Sequence, residues 1–271
     1  MIDLHLHTTF SDGTFTPTEL VKTAAAGFSA ISVTDHDTVA GVPEALEAKA
    51  ALGTELMVIP GVELSCEYLD REVHILGYGV DVKNQTLLDV LQELENERIE
   101  RIHLTVDKLT RFGLPLKFED LPITGLPGRA HVARAMVAKG YAVSVSDAFS
   151  RYLNPEKPGY VARNKLLPKD AVELIHQAGG VAVLAHPALV KMELTDSLLK
   201  DVPVDGIEVF HSAHLPEQTL EYEKFALSRG LIITGGSDCH GPKGKDSLLM
   251  GTIDLPEHYF KQLLRAMDGI A

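Results

Sequence analysis

Residues 1–15 read MIDLHLHTTFSDGTF, and this stretch sets the fold and chemistry expected of the whole chain. From Ile2 onward, apolar and polar residues alternate, which predicts a strand with His5 and His7 on one face. Asp12 follows in a polar loop, so two imidazoles and one carboxylate can bind one metal ion such as Zn²⁺, Mn²⁺ or Fe²⁺. Paired histidines on a strand are also common in structural roles, so this stretch alone leaves both interpretations open.

The composition indicates a chain that can bury a large core. The 271 residues are 45% hydrophobic, which suits a single barrel-sized domain. The sequence has no apolar run of membrane-spanning length and no signal-peptide pattern, so we expect a cytoplasmic protein without a membrane partner. Cys66 and Cys239 are too few for a disulfide framework, and reduced thiols are expected.

Charge is distributed unevenly along the chain. The formal net charge is −13, which argues against non-specific nucleic-acid binding, and we expect no stable binding of duplex nucleic acid. Residues 84–169 carry 13 Lys and Arg against 10 Asp and Glu, a net of +3, whereas the remainder carries a net of −16. A basic segment beside an acidic body that holds cations suits an anionic substrate. The alternative is chance variation among solvated helix faces.

Helices and strands alternate over most of the chain. Strands are predicted at 2–7, 30–34, 56–65, 73–80, 181–185, 206–210 and 231–236, and helices at 16–26, 42–52, 168–178 and 216–228. The first helix begins with TPTE at 16–19, which supplies an N-cap, a proline in the first turn and a capping-box glutamate. This order implies parallel strands joined by crossover helices, as in an α/β sheet or barrel.

The alternation stops between residues 84 and 163. A long amphipathic helix is predicted over 85–112, followed by shorter helices at 130–139 and 145–153, with no strand pattern among them. We therefore expect a small helical domain, 84–163, inserted into a barrel domain that consists of 1–83 and 164–271.

Side chains of metal-binding type recur where the predicted strands end. They are His5, His7, Asp12, His36, Glu63, His186, Asp238 and His240. Because the carboxyl ends of parallel strands lie on one side of such folds, these side chains should converge on one cavity. His74 begins its strand, so that strand must run opposite to its neighbours or enter the site from its other end. Nine ligands are too many for one tetrahedral zinc, which indicates a cluster of two or three divalent ions.

Six motifs, in this order, closely resemble those of the polymerase and histidinol phosphatase (PHP) family: HLHTTFSDGT, TDHDT, GVELS, HILGY, LAHP and GSDCHG. The resemblance implies a distorted seven-stranded (β/α) barrel with a trinuclear metal site that hydrolyses phosphoesters. It implies ligand roles for His5, His7, Asp12, His36, Glu63, His74, His186, Asp238 and His240. Asp12 stands where many family members have histidine. Because a carboxylate favours harder ions, Mn²⁺ is the first expectation, with Fe²⁺ or Zn²⁺ as alternatives.

Three features narrow the resemblance to the family's subgroup that acts on nucleotide phosphates. They are the helical insertion, the stretch IEVFHSAH at 207–214 and the stretch GRAH at 128–131. That subgroup includes 3′,5′-nucleoside bisphosphate phosphatases and a 5′-to-3′ exoribonuclease. The resemblance implies removal of the 3′-phosphate from 3′,5′-nucleoside bisphosphates, trimming of short 5′-phosphorylated RNA, or both, by attack of a metal-bound hydroxide. Nucleotides or short RNA are therefore the expected partners. The sequence leaves the oligomeric state open and slightly favours a monomer.

Several residues outside the metal set are candidates for contact with the substrate. Arg129, Lys157 and Tyr160 lie in the basic segment, where arginine can fork onto phosphate oxygens and lysine can act as a point charge. His211 follows a strand and could protonate the leaving alkoxide or contact phosphate, and His214 lies in the same loop. For both histidines an ordinary loop position is the alternative.

Three neighbours of the ligands have other expected roles. Asp35 and Asp37 flank His36 and are expected to orient it or to cap its loop, although one of them could ligate. Cys239 lies between two ligands, but its side chain should point the opposite way, into the core.

Three other functions share parts of this pattern. A histidinol-phosphate phosphatase, or another small-molecule phosphatase, would use the same metal site on a different substrate. An amidohydrolase also begins with HxH on a barrel strand, but its binuclear site usually needs a bridging Lys or carboxylate after the fourth strand, and no Lys follows a strand here. A catalytically silent metal-binding scaffold is disfavoured, because it would have no use for nine ligands.

Overall fold

The computed structural model describes residues 1–123, 125–162, 166–190, 192–242 and 250–270. Within these residues, seven strands form one sheet in which the spatial order follows the sequence order. The strands are β1 (Ile2–Leu6), β2 (Ala30–Val33), β3 (Met57–Tyr68), β4 (Arg71–Tyr78), β5 (Val181–Leu184), β6 (Gly206–His211) and β7 (Ile232–Gly236). The helices are α1 (Pro17–Ala24), α2 (Val42–Leu52), α3 (Gln85–Arg111), α4 (Arg129–Ala138), α5 (Val145–Ala148), α6 (Pro168–Gln177), α7 (Met192–Asp201), α8 (Pro216–Arg229) and α9 (Glu257–Ile270).

The sheet curls into a nearly closed barrel. Neighbouring strands are parallel, except that β4 pairs antiparallel with both β3 and β5. Past the end of β7, Leu6 pairs with Cys239, and the His7 N–H donates to the Cys239 carbonyl at 3.0 Å, which brings the last strand back to the first. The predicted seven-stranded α/β barrel is confirmed, and the reversed strand is the one that carries His74. The Cys239 side chain is buried in the barrel core, as predicted.

The first two helices show how local sequence sets the element boundaries. The Thr16 hydroxyl accepts the Glu19 N–H at 3.1 Å, and the Thr16 N–H donates to the Glu19 carboxylate at 2.9 Å, which confirms the predicted capping box. Helix α2 has Pro43 in its first turn and ends at Gly53, whose φ of 60° suits glycine. Among the described residues, no helix is both long and apolar enough to cross a membrane.

Between β4 and β5 the chain forms a helical segment, residues 84–162, that contains α3, α4, α5 and a π-helical turn at Phe149–Leu153. This segment has its own hydrophobic cluster, to which α3 contributes Ile102 and Leu109. The first half of α3 packs Leu87 and Leu91 into the barrel core instead. Helix α3 therefore belongs to both cores and joins them. The division into two domains stays a prediction, and its second boundary lies outside the described residues.

Candidate metal centre

The structure brings all nine predicted ligands together at one end of the barrel. Their ligand atoms form overlapping groups, each with all atoms within 4.8 Å of one another: His7, Asp12, His36 and His240; His5, His7, Glu63 and Asp238; and His36, Glu63 and His74. His186 joins them through Nε2, which lies 3.0 Å from Glu63 Oε1 and 3.2 Å from His74 Nδ1.

The antiparallel strand explains how His74 reaches the others. Strand β3 carries Glu63 past the end of β2, where the Glu63 N–H donates to the Asp35 carbonyl at 3.1 Å. Strand β4 then returns along β3, with His74 opposite Ser65 and Leu76 opposite Glu63. The beginning of β4 therefore lies beside the carboxyl end of its neighbour, so a histidine at a strand start joins ligands at strand ends.

Three of the six non-glycine residues with positive φ in the described part of the chain lie in or beside the ligand cluster. Asp37, His186 and Asp238 adopt positive φ values of 51°, 28° and 55°, which are uncommon for residues other than glycine. Two of the three are predicted ligands, and the third flanks His36. Strained conformations of this kind persist where the surrounding structure over-determines them, and they cluster at functional sites.

Glu63 lies at the centre of the cluster and is fully buried. Its oxygens lie 2.8 Å from His36 Nδ1, 2.7 Å from His74 Nδ1 and 3.0 Å from His186 Nε2. Burial by itself would raise the pKa of Glu63, but the charges of His36, His74 and His5 hold that pKa well below its usual range. Glu63 is therefore a carboxylate, with lone pairs directed at several imidazoles.

Burial and neighbouring charges also shift the pKa values of Asp12, His240 and His7. Burial disfavours the charged form of Asp12, yet His240 and His36 hold the Asp12 pKa well below its usual range. Burial also opposes protonation of His240, but Asp12 and Asp238 raise the His240 pKa to about 10. The pKa of His7, in contrast to that of His240, is lowered to about 4 by burial and by the charge of His240. A cluster that attracts protons so strongly at some nitrogens also attracts divalent cations, which compete for the same lone pairs.

The donor atoms fit divalent metal ions. Several of them are buried and make no hydrogen bond, among them Asp12 Oδ1, Glu63 Oε2, His5 Nε2, His7 Nε2 and His36 Nδ1. Buried polar atoms are normally satisfied, so their convergence in one place indicates ligands. Imidazole nitrogen and carboxylate oxygen suit Mn²⁺, Fe²⁺ and Zn²⁺. Glu63 belongs to two of the groups, as a carboxylate shared between two ions would.

Glu208 on β6 was not predicted as part of the site. It is fully buried, its Oε1 lies 3.0 Å from His5 Nδ1, and its Oε2 accepts the His186 N–H at 2.8 Å. With His5 and His211 it forms a further group of potential ligands. Its sequence signal is a single acidic residue between the apolar Ile207 and Val209 of a strand, because charged groups are seldom fully buried unless they are paired.

Of the two aspartates beside His36, Asp35 bonds the loop after β1, and Asp37 bonds strand β3 and helix α3. Asp35 accepts the Thr8 N–H at 2.7 Å and the Thr8 hydroxyl at 2.6 Å. Asp37 accepts the Ser65 N–H at 2.7 Å and the Arg98 Nε–H at 2.8 Å. These bonds fix the loop after β1 and connect the helical segment to the ligand-bearing strands.

A cavity open to solvent gives access to the cluster. The barrel lines it with Asp12, His36, Glu63, Glu72, His74, His186, Asp238 and His240, among others. The helical segment contributes three arginines, Arg98, Arg101 and Arg129, together with apolar residues that include Ile102 and Phe149. Of the predicted substrate-binding residues, Arg129 lies at this cavity. Its guanidinium donates to Glu72 at 3.0 Å and lies 5.6 Å from the centre of the Phe149 ring.

The structure places Lys157 and Tyr160 elsewhere. Lys157 lines a separate surface groove together with Lys108 and Arg111. The Tyr160 carbonyl accepts a hydrogen bond from Lys108 Nζ at 2.7 Å, which places Tyr160 beside the same end of α3. The described lining of the metal cavity includes neither residue.

His211 and His214 lie near the ligands, but the described cavity lining does not include them. His211 is buried, with Nε2 3.8 Å from Asp238 Oδ2, while its Nδ1 accepts the Ala213 N–H at 3.1 Å. His214 uses both ring nitrogens on backbone groups, because Nδ1 donates to the Val209 carbonyl at 2.8 Å and Nε2 accepts the Ala188 N–H at 3.5 Å. That bonding matches the ordinary loop position considered for His214.

Comparison with known sequences gives a consistent picture. The family model described as the PHP domain matches residues 3–192. The chain is 35% identical over 251 residues to the 5′-3′ exoribonuclease Rnm of Salmonella typhimurium, covering 89% of this chain and 85% of that protein. It is also 35% identical over 267 residues to the 3′,5′-nucleoside bisphosphate phosphatase of Chromobacterium violaceum, covering 94% and 92% of the two chains.

Two solved structures are similar over nearly the whole chain. One comes from Bifidobacterium adolescentis and is described provisionally as a metal-dependent phosphoesterase. The other is described as an amidohydrolase from Chromobacterium violaceum, with bound sulfate and no metal. Each has a TM-score of 0.87 and 32% sequence identity, and each alignment covers 98% of this chain and 96% of the other.

Proposed function

Because the chain belongs to the PHP domain family and is a metal-dependent phosphoesterase, we propose that it hydrolyses the 3′-phosphate of 3′,5′-nucleoside bisphosphates. The observation that carries this proposal is the meeting, in one cavity, of a metal-binding cluster with the Arg129 guanidinium and an aromatic ring. An anionic substrate with two phosphates can use both kinds of positive charge. The nucleotide-directed relatives support this choice of substrate.

The nine predicted ligands are proposed to hold two or three divalent ions, with Mn²⁺ as the first choice and Fe²⁺ or Zn²⁺ as alternatives. When bound, such ions lower the pKa of water and withdraw charge from phosphoryl oxygens. Asp12 contributes a hard oxygen donor to the group that it forms with three histidines. Hydrogen bonds hold the segments that carry the ligands, because the Glu63 N–H donates to the Asp35 carbonyl, while Asp35 and Asp37 accept the N–H groups of Thr8 and Ser65.

Arg129 is proposed to bind the phosphate that is not cleaved. Arg98 is held by Asp37, and the Arg101 Nε–H donates to the Val161 carbonyl at 2.9 Å. Arg129 instead pairs with Glu72, and the two side chains keep 18% and 34% of their exposure. Exposed ion pairs contribute little, so a phosphate can replace Glu72 and gain two charge-assisted hydrogen bonds from the guanidinium.

The test is a substrate series with protein loaded with Mn²⁺. We expect the highest kcat/KM on 3′,5′-nucleoside bisphosphates, lower values on mononucleotides and little turnover of histidinol phosphate. Arg129→Ala should raise KM by about tenfold to a hundredfold through loss of charge-assisted hydrogen bonds, with metal content unchanged. Arg151→Ala is the matched control, because Arg151 is an exposed arginine of the same segment that pairs with Asp147. Preferred hydrolysis of histidinol phosphate would overturn the substrate assignment.

Exonucleolytic trimming of 5′-phosphorylated RNA is a second candidate, favoured by the groove that contains Lys157. Its lining combines Lys108, Arg111 and Lys157 with one acidic residue and with Phe112, which is 57% exposed. Lys108 follows the cavity-lining Arg101 by seven residues of α3, so it lies on nearly the same helix face about 10 Å further along. Basic side chains interleaved with an aromatic ring suit the body of a single strand.

Substrate length distinguishes the two candidates. If the groove binds RNA, the double variant Lys108→Ala/Arg111→Ala should lower kcat/KM on a 5′-phosphorylated octanucleotide about tenfold and weaken its dependence on salt, with no change on a mononucleotide. The control is Lys22→Ala/Lys224→Ala, which removes two exposed lysines from barrel helices. Equal rates for both double variants on RNA would exclude the groove.

The rival functions make different demands on the cavity. An amidohydrolase site with a bridging lysine does not match, since the described lining contains no lysine. Hydrolysis of cyclic amides without hydrolysis of phosphoesters would nevertheless establish that activity. A metal-loaded protein without turnover of any phosphoester would indicate a scaffold.

From the sequence we also propose a cytoplasmic monomer that does not bind duplex nucleic acid. Light scattering tests the oligomeric state, and a duplex-binding assay tests the absence of duplex binding.

A further inference from the structure

The two parts of the chain give the metal cavity two kinds of lining. The barrel supplies imidazoles and carboxylates, whereas the apolar side chains come mainly from the helical segment, with Phe149 and Ile102 as the largest, and from Leu189 after β5. A bare phosphate has no use for an apolar lining. The second lining therefore indicates that the substrate carries a flat or apolar group attached to its phosphate.

Packing against the hydrophobic cluster of the helical segment places Phe149 at the cavity. It opens the π-helical turn that continues from α5, and the next buried residues of that turn, Tyr152 and Leu153, belong to the hydrophobic cluster of the helical segment. Phe149 itself is half-buried against that cluster and also lines the cavity. Single π-helical turns are rare and are frequent at functional sites.

Arg129 relates the ring to the phosphate grip. Its guanidinium carbon lies 5.6 Å from the centre of the Phe149 ring, which is within cation–π range. A phosphate held by Arg129 would therefore lie close to the Phe149 ring. In a nucleotide, a ribose separates phosphate and base by a short distance, so one molecule can occupy both.

We propose that Phe149 is the platform on which the nucleobase of the substrate stacks. This inference rests on the proposed nucleotide phosphatase function and names its base-binding subsite. The described cavity lining has no Asn or Gln amide to read the edge of a base, and its Arg98 and Arg101 side chains are already held by Asp37 and the Val161 carbonyl. Every base, in contrast, has a π-face. The subsite therefore accepts nucleoside phosphates of all four bases with similar affinity.

Steady-state kinetics with and without a base test the platform. Stacking on an aromatic side chain is worth enough that Phe149→Ala should raise KM for all four 3′,5′-nucleoside bisphosphates about five- to hundredfold. The value of kcat should change little, and ribose 3,5-bisphosphate, which lacks a base, should be unaffected. Phe149→Tyr keeps the π-face and should behave as the wild type.

Two further variants separate stacking from packing. Phe149→Leu keeps apolar volume against the cluster but loses the ring, so it should show most of the KM increase seen with alanine. Phe118→Ala is the matched control, because Phe118 is also half-buried against the same cluster but lies outside the described cavity lining. It should lower the melting temperature without a change in KM. A wild-type KM for Phe149→Leu, or an equal loss on ribose 3,5-bisphosphate, would overturn the platform.

Calorimetric binding of adenosine 5′-monophosphate to the Mn²⁺-loaded protein distinguishes failure of the platform from failure of the proposed function. If the wild type hydrolyses no nucleotide but Phe149→Leu still weakens binding about fivefold or more, the proposed function fails and the platform stands. If the wild type hydrolyses nucleotides and both proteins bind equally, the platform fails and the proposed function stands.

Discussion

Replacement of Glu208 by glutamine should weaken metal binding without removing any of the nine predicted ligands. Burial would raise the pKa of Glu208, but the charges of His5 and His211 hold that pKa below its usual range, so Glu208 is a carboxylate and can only accept hydrogen bonds. His5 Nδ1, 3.0 Å away, must therefore carry a proton. His5 Nε2 therefore faces Glu63 and Asp238, and a divalent ion that displaces the proton of the charged ring there would use its lone pair.

The magnitude follows from the two bonds that Glu208 accepts. A glutamine has one carbonyl oxygen, so it can satisfy either the His5 ring or the His186 N–H but not both. One buried donor is left unpaired, at a cost of about 1–3 kcal/mol in the free energy of unfolding. Loss of the partner that fixes a metal-binding histidine typically lowers metal affinity or activity about tenfold to a hundredfold.

The assay is a competition between protein and a chelator for Mn²⁺, combined with kcat/KM at saturating metal. Asp205→Asn is the matched control. The Asp205 carboxylate likewise accepts a backbone N–H, from Ala182 at 2.7 Å, and contacts a histidine ring, His176, at 2.8 Å. It lies beside the start of β5, at the other end of the strand from His186, so its substitution should affect stability but not metal affinity.

Two results would refute the reasoning. If Glu208→Gln binds Mn²⁺ as tightly as the wild type, the Glu208 carboxylate does not set the tautomer of His5. If Asp205→Asn weakens metal binding to the same extent, the effect reflects general loosening of the barrel.

Three further predictions concern pH, packing and metal removal. Burial lowers the pKa of His131 to about 4, below the 6.5 usual for histidine. The neutral ring therefore stabilises the fold fully above pH 6.5, and this stability is lost as the pH falls towards 4. In urea unfolding, the wild type should lose about 3 kcal/mol more than His131→Gln between pH 6.5 and pH 4. Gly236→Ala should abolish folding or metal binding, because a Cβ there would overlap the backbone of His5. Gly53→Ala has no neighbouring atoms to clash with, but its φ of 60° should lower the free energy of unfolding in urea by about 1 kcal/mol. EDTA should abolish phosphate release and lower the melting temperature by about 5 °C or more, and Mn²⁺ should restore both; activity that survives complete metal removal would contradict the ligand assignment.

The ligand cluster could be predicted because it depends on a general property of parallel sheets. Strand periodicity placed His36 and His186 at strand ends, and the shared side of those ends made their convergence a topological consequence. The position of His74 at a strand start even specified the reversal of β4 as one of two solutions. These inferences needed the order and direction of the strands, but no side-chain packing.

The substrate side of the cavity could not be predicted in the same way. Lys157 and Arg129 both lie in the basic segment, yet one lines a separate groove and the other the cavity. Packing between the two cores decides which face of a helix contacts the barrel. The helical periodicity of the sequence does not show this. Phe149 has an ordinary sequence context, and its place at the cavity follows from the π-helical turn. Glu208 was not predicted because it lies within its strand, whereas the predicted ligands were sought at strand ends.

This difference between the two linings explains how relatives of similar sequence can carry different names. The chemistry of phosphoester cleavage depends on a barrel end in which loops, strands and β4 are tied together by short hydrogen bonds, so few positions there can vary without loss of the cluster. The helical segment contacts the barrel through α3, through Arg98 and Arg129, and through the Arg134 guanidinium, which donates to the Asp12 carbonyl, whereas Phe149 packs against the segment's own core. Substitutions in that core can move the platform or the groove without disturbing the metal ligands. Discrimination between a mononucleotide and an RNA end should therefore be transferred by exchange of residues 84–162 between relatives, whereas metal affinity should remain with the barrel.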